Sequence, residues 1–141
     1  MDTLAKTFYT ASATSTGDGR SGHVRSSDGV LDLDLLPPAE HSTHTNPEQL
    51  FAAGYSACFH SALKGNAKRL GLDVTDSAVT ADVSLGQIEE NRFGLAVTLH
   101  IELGGLSQED ADRLAEAAHQ GCPYSNATRG NIEVTLDVQV G

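Results

Sequence analysis

Tryptophan is absent from this 141-residue chain, aromatic residues make up only 5% of it, and cysteine occurs twice. A core built without Trp and with few rings must be filled by aliphatic side chains and alanine. Two cysteines, Cys58 and Cys122, are too few and too far apart for the disulfide framework of a small secreted domain. Basic residues are also scarce, 9 Lys and Arg against 19 Asp and Glu, for a formal net charge of -10. Phosphate binding needs a positive field, so this balance argues against nucleic acid and against an anionic membrane surface. Nowhere do about 18 apolar residues run together, which excludes a membrane-spanning helix. The opening MDTLAKTFYTASATSTG lacks the apolar stretch of a signal peptide, so a cytoplasmic location is expected. In such a reducing compartment an isolated pair of cysteines is either inert packing or chemistry.

What is present fits one domain over residues 1–141, since single domains commonly span roughly 100–200 residues. TFYTASATS has the β-branched and aromatic enrichment of a strand, and Gly17-Asp18-Gly19 ends it. GHVRSS gives a second strand, and Asp28-Gly29 a hairpin turn. A third strand follows over Val30, Leu31, Leu33, Leu35 and Leu36, with Asp32 and Asp34 on its other face and Pro37-Pro38 as its stop. AEHSTHT is a polar loop. Asn46, Pro47 and Gln49 then mark the N-terminus of a helix that continues through Leu70 to a stop at Gly71. Its middle, AAGYSACFHSALKG, is so rich in small residues that the spacing predicts a central, largely buried helix.

Two long strands flank the turn EEN, and Leu95, Val97, Leu99 and Ile101 alternate in the second. Ser107 caps another helix, with Asp110 at the capping-box position, and that helix runs to Gly121. Cys122 and Pro123 open a short helical turn, and Ile132, Val134, Leu136, Val138 and Val140 alternate in a final half-buried strand. The order β-β-β-α-β-β-α-β implies an α+β fold with mostly antiparallel sheet.

Cys58 lies deep in its helix between Ala57 and Phe59, where desolvation raises a thiol pKa and makes the thiol inert. Activation requires a cation that stays charged in such a pocket. Arginine meets that need, since it does not deprotonate and its planar fork can meet both a thiolate and a carboxylate. Arg20, Arg25, Arg69, Arg92, Arg113 and Arg129 are all candidates, and spacing alone does not choose among them. Cys122 has the more favourable setting, because a helix N-terminus stabilises negative charge and Pro123 suits that geometry.

The segments holding these cysteines carry a resemblance. NPEQLFAAGYSACF (46–59) and CPYSNATRGNIEV (122–134) closely resemble the paired signatures of the organic hydroperoxide resistance (Ohr) family within the Ohr/OsmC superfamily. The likeness covers nearly the whole chain, including the opening YTASATSTGDGR. It implies an intertwined homodimer with mostly antiparallel sheets packed around a central buried helix. It also implies a thiol-dependent peroxidase that reduces organic and fatty-acid hydroperoxides to alcohols, with no bound metal, flavin or haem.

In that family the first motif's cysteine, here Cys58, is peroxidatic, and the second motif's, here Cys122, is resolving. The two join in an intramolecular disulfide that a lipoyl-bearing protein or dihydrolipoamide re-reduces. The family's activating arginine matches Arg20, and its partner carboxylate matches Glu48. Candidate pocket residues near the motifs are Phe51, Tyr55, Phe59 and Tyr124. Family members carry a glycine-rich loop before NPEQ, whereas this chain has AEHSTHT. His41 and His44 there, like His60 and His119, have no spacing that demands zinc.

If the helix is unbroken, Glu48 and Cys58 lie roughly 15 Å apart along its axis. Each active site is then expected to draw Cys58 and Cys122 from one chain and Glu48, with Arg20, from the other. A break in the helix is the alternative. The rival functions are a thiol redox sensor, oxidised once, and a non-catalytic protein that binds an apolar ligand.

Overall fold

The computed structural model of the protein describes residues 1–39 and 41–141; Glu40, in the polar loop, lies outside the described residues. The chain forms two compact units, Met1–Pro47 and Glu48–Gly141.

The first unit is a three-stranded antiparallel sheet of β1 (Ala13–Thr16), β2 (His23–Ser26) and β3 (Asp32–Asp34), in that order. A short 3-10 turn over Gly19–Ser21 joins the first two strands and carries Arg20. Both outer strands are shorter than their patterns predict. Residues 26–31 are spent on the turn: Ser26 N–H donates to Leu31 O, Gly29 N–H to Ser26 O, and the Asp28 carboxylate accepts from the Ser26 hydroxyl and Val30 N–H. Gly29, at φ +76, supplies the left-handed residue that this turn needs. Val30 and Leu31 therefore lie exposed outside the strand, and Leu35 is the buried member of the group. Phe8 and Tyr9, expected in the first strand, precede β1 and are exposed.

All but the first residue of α1 (Pro47–Leu70), continuous over 24 residues, belongs to the second unit. The helix ends as its sequence requires. Gly71 takes φ +68, its N–H donates to Lys68 O, and Leu72 N–H donates to Ala67 O, which satisfies two of the orphan carbonyls of the last turn. Tyr55, Phe59, Leu63 and Ala67, each four residues after the last, form one wholly buried stripe. The other faces are half-buried or exposed, so within the chain α1 is buried along one side and not all round.

Strands β4 (Asp76–Glu89) and β5 (Arg92–Gly104) form a long antiparallel hairpin closed by Glu90 and Asn91, with Asn91 at φ 62. Ile88 is the extra residue of an irregularity between Gln87 and Glu89. Helix α2 (Gln108–Gly121) begins at Ser107, whose hydroxyl accepts from Asp110 N–H at 3.1 Å. Helix α3 (Pro123–Thr128) follows at once, and β6 (Val134–Val140) returns parallel to β5 over Val97–Leu103. This parallel pair stands beside three antiparallel ones, so the sheets are mostly antiparallel, as expected. The core lies on one face of β4-β5-β6, where Val97, Leu99, Ile101 and Leu103 meet the α1 stripe and Ala111, Leu114, Ala115 and Ala118 of α2. Among the described residues no helix is long and apolar enough to cross a membrane.

Candidate active site

Cys122 is pinned by two helices at once. Its N–H donates to Ala118 O at 2.8 Å, closing α2, and its carbonyl accepts from Asn126 N–H at 2.9 Å, opening α3. Its side chain makes no capping bond to α3, which leaves the sulfur to face α1. Cys122 is fully buried, whereas Cys58, halfway along α1, is half-buried, and both are thiols. The two side chains are neighbours, close enough for Cys122 to act on the Cys58 thiol.

Three influences act on the Cys58 thiol. Burial is the largest and pushes its pKa up, the Tyr124 backbone N–H opposes that shift, and the neighbouring Cys122 adds to it. The sequence placed the benefit of the α3 N-terminus on Cys122. In the fold, the amide of the second residue of α3 lies beside Cys58.

A buried polar cluster fixes α3. The Tyr55 hydroxyl is 2.8 Å from Ser125 Oγ and 3.1 Å from Thr128 Oγ1, and His119 Nδ1 is 2.8 Å from Ser125 Oγ. Arg129 donates to the His119 carbonyl at 2.8 Å. Burial, and then the Arg129 charge, hold His119 below its ordinary pKa. Among the described residues no buried side-chain nitrogen or oxygen lacks a partner, so the cluster braces α1, α2 and α3 without an unpaired group. Close contact continues at Gly54, where an added Cβ would lie 2.5 Å from the Tyr124 hydroxyl oxygen. Phe51 and Tyr124 meet edge to face at 5.9 Å, and Tyr55 and Tyr124 lie 5.5 Å apart.

Phe51 and Tyr124 also line an open cleft of about 820 Å³, with Ile88, Phe93 and Leu95 of the hairpin and Ile132 beyond α3. Tyr124 thus joins the two halves of the site: its amide lies at the Cys58 sulfur and its ring lies in the cleft wall. Of the other expected pocket residues, Tyr55 and Phe59 are fully buried in the core and are not part of this lining. Both belong to the α1 stripe that packs against the sheet, which turns them away from the cleft.

Glu48 sits in the first turn of α1. The helix has no break before Cys58, so the two are separated by roughly 15 Å along the axis. Arg20 belongs to the first unit. His60 bonds Ser77 at 2.8 Å, and among the described residues no cluster of His, Cys, Asp and Glu could hold a metal.

The polar cluster and the hairpin's share of the cleft escaped the sequence reading. Ser125 and Thr128 lie inside the second motif, which was a usable signal, but Tyr55 is 70 residues from Ser125. Ile88 and Phe93, apolar residues crowded against a turn, were the available hint for the cleft.

Comparison with known proteins bears directly on this arrangement. Residues 40–137 match the family described as OsmC-like protein. The chain is 47% identical to organic hydroperoxide resistance protein OhrB of Bacillus subtilis, over 94% of this chain and 98% of that one. It is 48% identical to the organic hydroperoxide resistance protein of Xanthomonas axonopodis pv. citri, over 96% and 98%. A crystal structure of an organic hydroperoxide resistance protein from Elizabethkingia anophelis superposes with a TM-score of 0.90 at 51% identity, covering 96% of this chain and 99% of that one. The B. subtilis OhrB structure gives 0.86 at 47%, covering 93% and 98%. With both cysteine motifs in place on a shared fold, the chain belongs to the organic hydroperoxide resistance group of the OsmC-like family.

Proposed function

We propose that the protein is a cysteine peroxidase that reduces organic hydroperoxides to alcohols. The observation that carries this reading is the pair of neighbouring thiols, Cys58 and Cys122, joined through Tyr124 to an apolar cleft. A redox pair needs two sulfurs that can meet, and an alkyl hydroperoxide needs somewhere to bury its chain, at about 0.8 kcal/mol per CH₂. Relatives named for organic hydroperoxide resistance support the same substrate.

In the proposed cycle the Cys58 thiolate attacks the distal peroxide oxygen. An S–O bond forms, the O–O bond breaks, and the alkoxide takes a proton to leave as the alcohol. Cys122 then attacks the sulfenic sulfur; an S–S bond forms, the S–O bond breaks, and hydroxide leaves as water with a proton. An external dithiol of the lipoyl type reduces the disulfide by exchange and is itself oxidised. No bound cofactor takes part, and the reductant implies a reducing compartment such as the cytoplasm.

Burial disfavours the Cys58 thiolate, and one amide is a weak counterweight. Arg20 is proposed to supply the missing positive charge, with Glu48 orienting its guanidinium. The unbroken helix supports a site in which these two come from a second copy of the chain. A site shared in this way makes the protein a homodimer.

The test is consumption of cumene hydroperoxide with dihydrolipoamide by wild type, Cys58→Ser and Cys122→Ser. Many turnovers by wild type and none by Cys58→Ser are expected, with Cys122→Ser stalling after about one equivalent. Consumption of no more than one equivalent by wild type overturns the enzyme and leaves a sensor.

A further inference from the structure

We propose that Arg92 is a specificity-determining residue that receives the carboxylate of a long-chain hydroperoxide lying in the cleft. The inference rests on the peroxidase reading and adds the recognition of the substrate's far end. Among the described residues that line the cleft, Arg92 is the one charged side chain; Ile88, Phe93, Leu95, Tyr124 and Ile132 make the wall chiefly apolar. One cation in an apolar trough matches an amphiphile that is hydrocarbon along its length and anionic at one end. A volume of about 820 Å³ is in the range that holds a ligand of that size.

The cleft lining carries two kinds of chemistry. Tyr124 belongs to the peroxide-reacting part, since its amide lies beside the Cys58 thiol. Arg92, the first residue of β5, is the charge that the hairpin brings to the lining, and no element of the proposed redox cycle uses it. Its NH1 group donates to Glu89 Oε1 at 2.5 Å. That bond occupies one edge of the guanidinium fork, and a fork with five N–H donors can hold a second carboxylate as well. Arg92 is also well exposed, so an incoming anion does not have to displace buried structure. Glu89 keeps the side chain at the cleft without lining the cleft itself.

The experiment compares wild type and Arg92→Gln on three hydroperoxides with dihydrolipoamide as reductant: a long-chain fatty-acid hydroperoxide, its methyl ester, and cumene hydroperoxide. Cumene hydroperoxide reports the peroxidase chemistry, and the ester reports burial of the chain. A rise in KM for the acid of about five-fold, with the ester and cumene hydroperoxide unchanged and kcat preserved, is expected from losing one partly exposed charge pair. Equal effects on acid and ester, or no effect on either, overturn the role of Arg92 while wild-type turnover of cumene hydroperoxide keeps the peroxidase. Absence of turnover of all three by wild type overturns both.

Discussion

At the scale of single residues, the site is a contest over the Cys58 proton. Burial and Cys122 raise the thiol pKa, and the Tyr124 amide lowers it. That amide stays in place because Ser125, fully buried, bonds both Tyr55 and His119. Ser125→Ala leaves two buried groups without their shared partner and should cost about 1–3 kcal/mol, measured by urea denaturation. Loosening α3 withdraws the amide, so the Cys58 titration, followed by thiolate absorbance, should move to higher pH than in wild type. An unchanged titration would show that the cluster does not position Tyr124. Sequence made part of this legible: Cys58 in an apolar stretch, Cys122 before a helix-starting proline, Ser107 with Asp110 as a cap. The brace was not legible, because hydrogen bonds between residues 70 apart leave no local pattern.

At the scale of elements, Gly54 is where α1 makes room for α3. Alanine is worth about 1 kcal/mol more than glycine within a helix. Here, however, its Cβ would fall 2.5 Å from the Tyr124 hydroxyl and 3.0 Å from the ring carbon that bears it. The ring end can swing, since Tyr124 is partly exposed, so the helix gain and the displacement should nearly cancel. Gly54→Ala is therefore expected to leave stability within about 1 kcal/mol of wild type while raising KM for long-chain hydroperoxides several-fold, because Tyr124 forms the cleft wall. Denaturation and steady-state kinetics on the same preparation check both halves.

Helix boundaries were readable at this scale because Pro47 and Gly71 have backbone preferences that act locally. The third strand was overestimated because a run of alternating leucines does not show where a turn will take its residues. The parallel course of β6 was hidden for a related reason, since a half-buried strand alternates identically beside a parallel or an antiparallel neighbour.

At the scale of the whole molecule, protonation ties strands together. His100 on β5 lies between two carboxylates, 2.7 Å from Asp82 of β4 and 2.8 Å from Asp137 of β6, and these hydrogen bonds raise its pKa. His23 is raised in the same way by Asp34 and Asp32. A raised pKa means that the folded chain holds the proton more tightly. This stabilisation is complete below the ordinary histidine value of about 6.5 and is lost as pH rises through the folded value. His119 acts in the opposite sense: its pKa is lowered, so its contribution is present above about 6.5 and is lost as pH falls. His100→Gln should lower the thermal midpoint most below pH about 6.5 and converge with wild type at alkaline pH, as read from thermal midpoints across pH. A shared active site has its own signature. Mixing Cys58→Ser with Glu48→Ala, each impaired alone, should restore about a quarter of wild-type turnover through hybrid dimers, and no recovery would place all four residues within one chain.

The parallel return of β6 also sets an order of events. Hairpin β4–β5 joins neighbours in sequence and can close within about 1–10 μs, whereas β6 must wait for a crossover of two helices before it finds β5. Cys122 rides on that crossover, at the joint between α2 and α3. A chain still emerging from the ribosome can therefore complete α1 and present Cys58 before its resolving partner is in position. During that interval, oxidation of Cys58 has no internal thiol to trap it, and the nascent protein is open to capture by outside thiols.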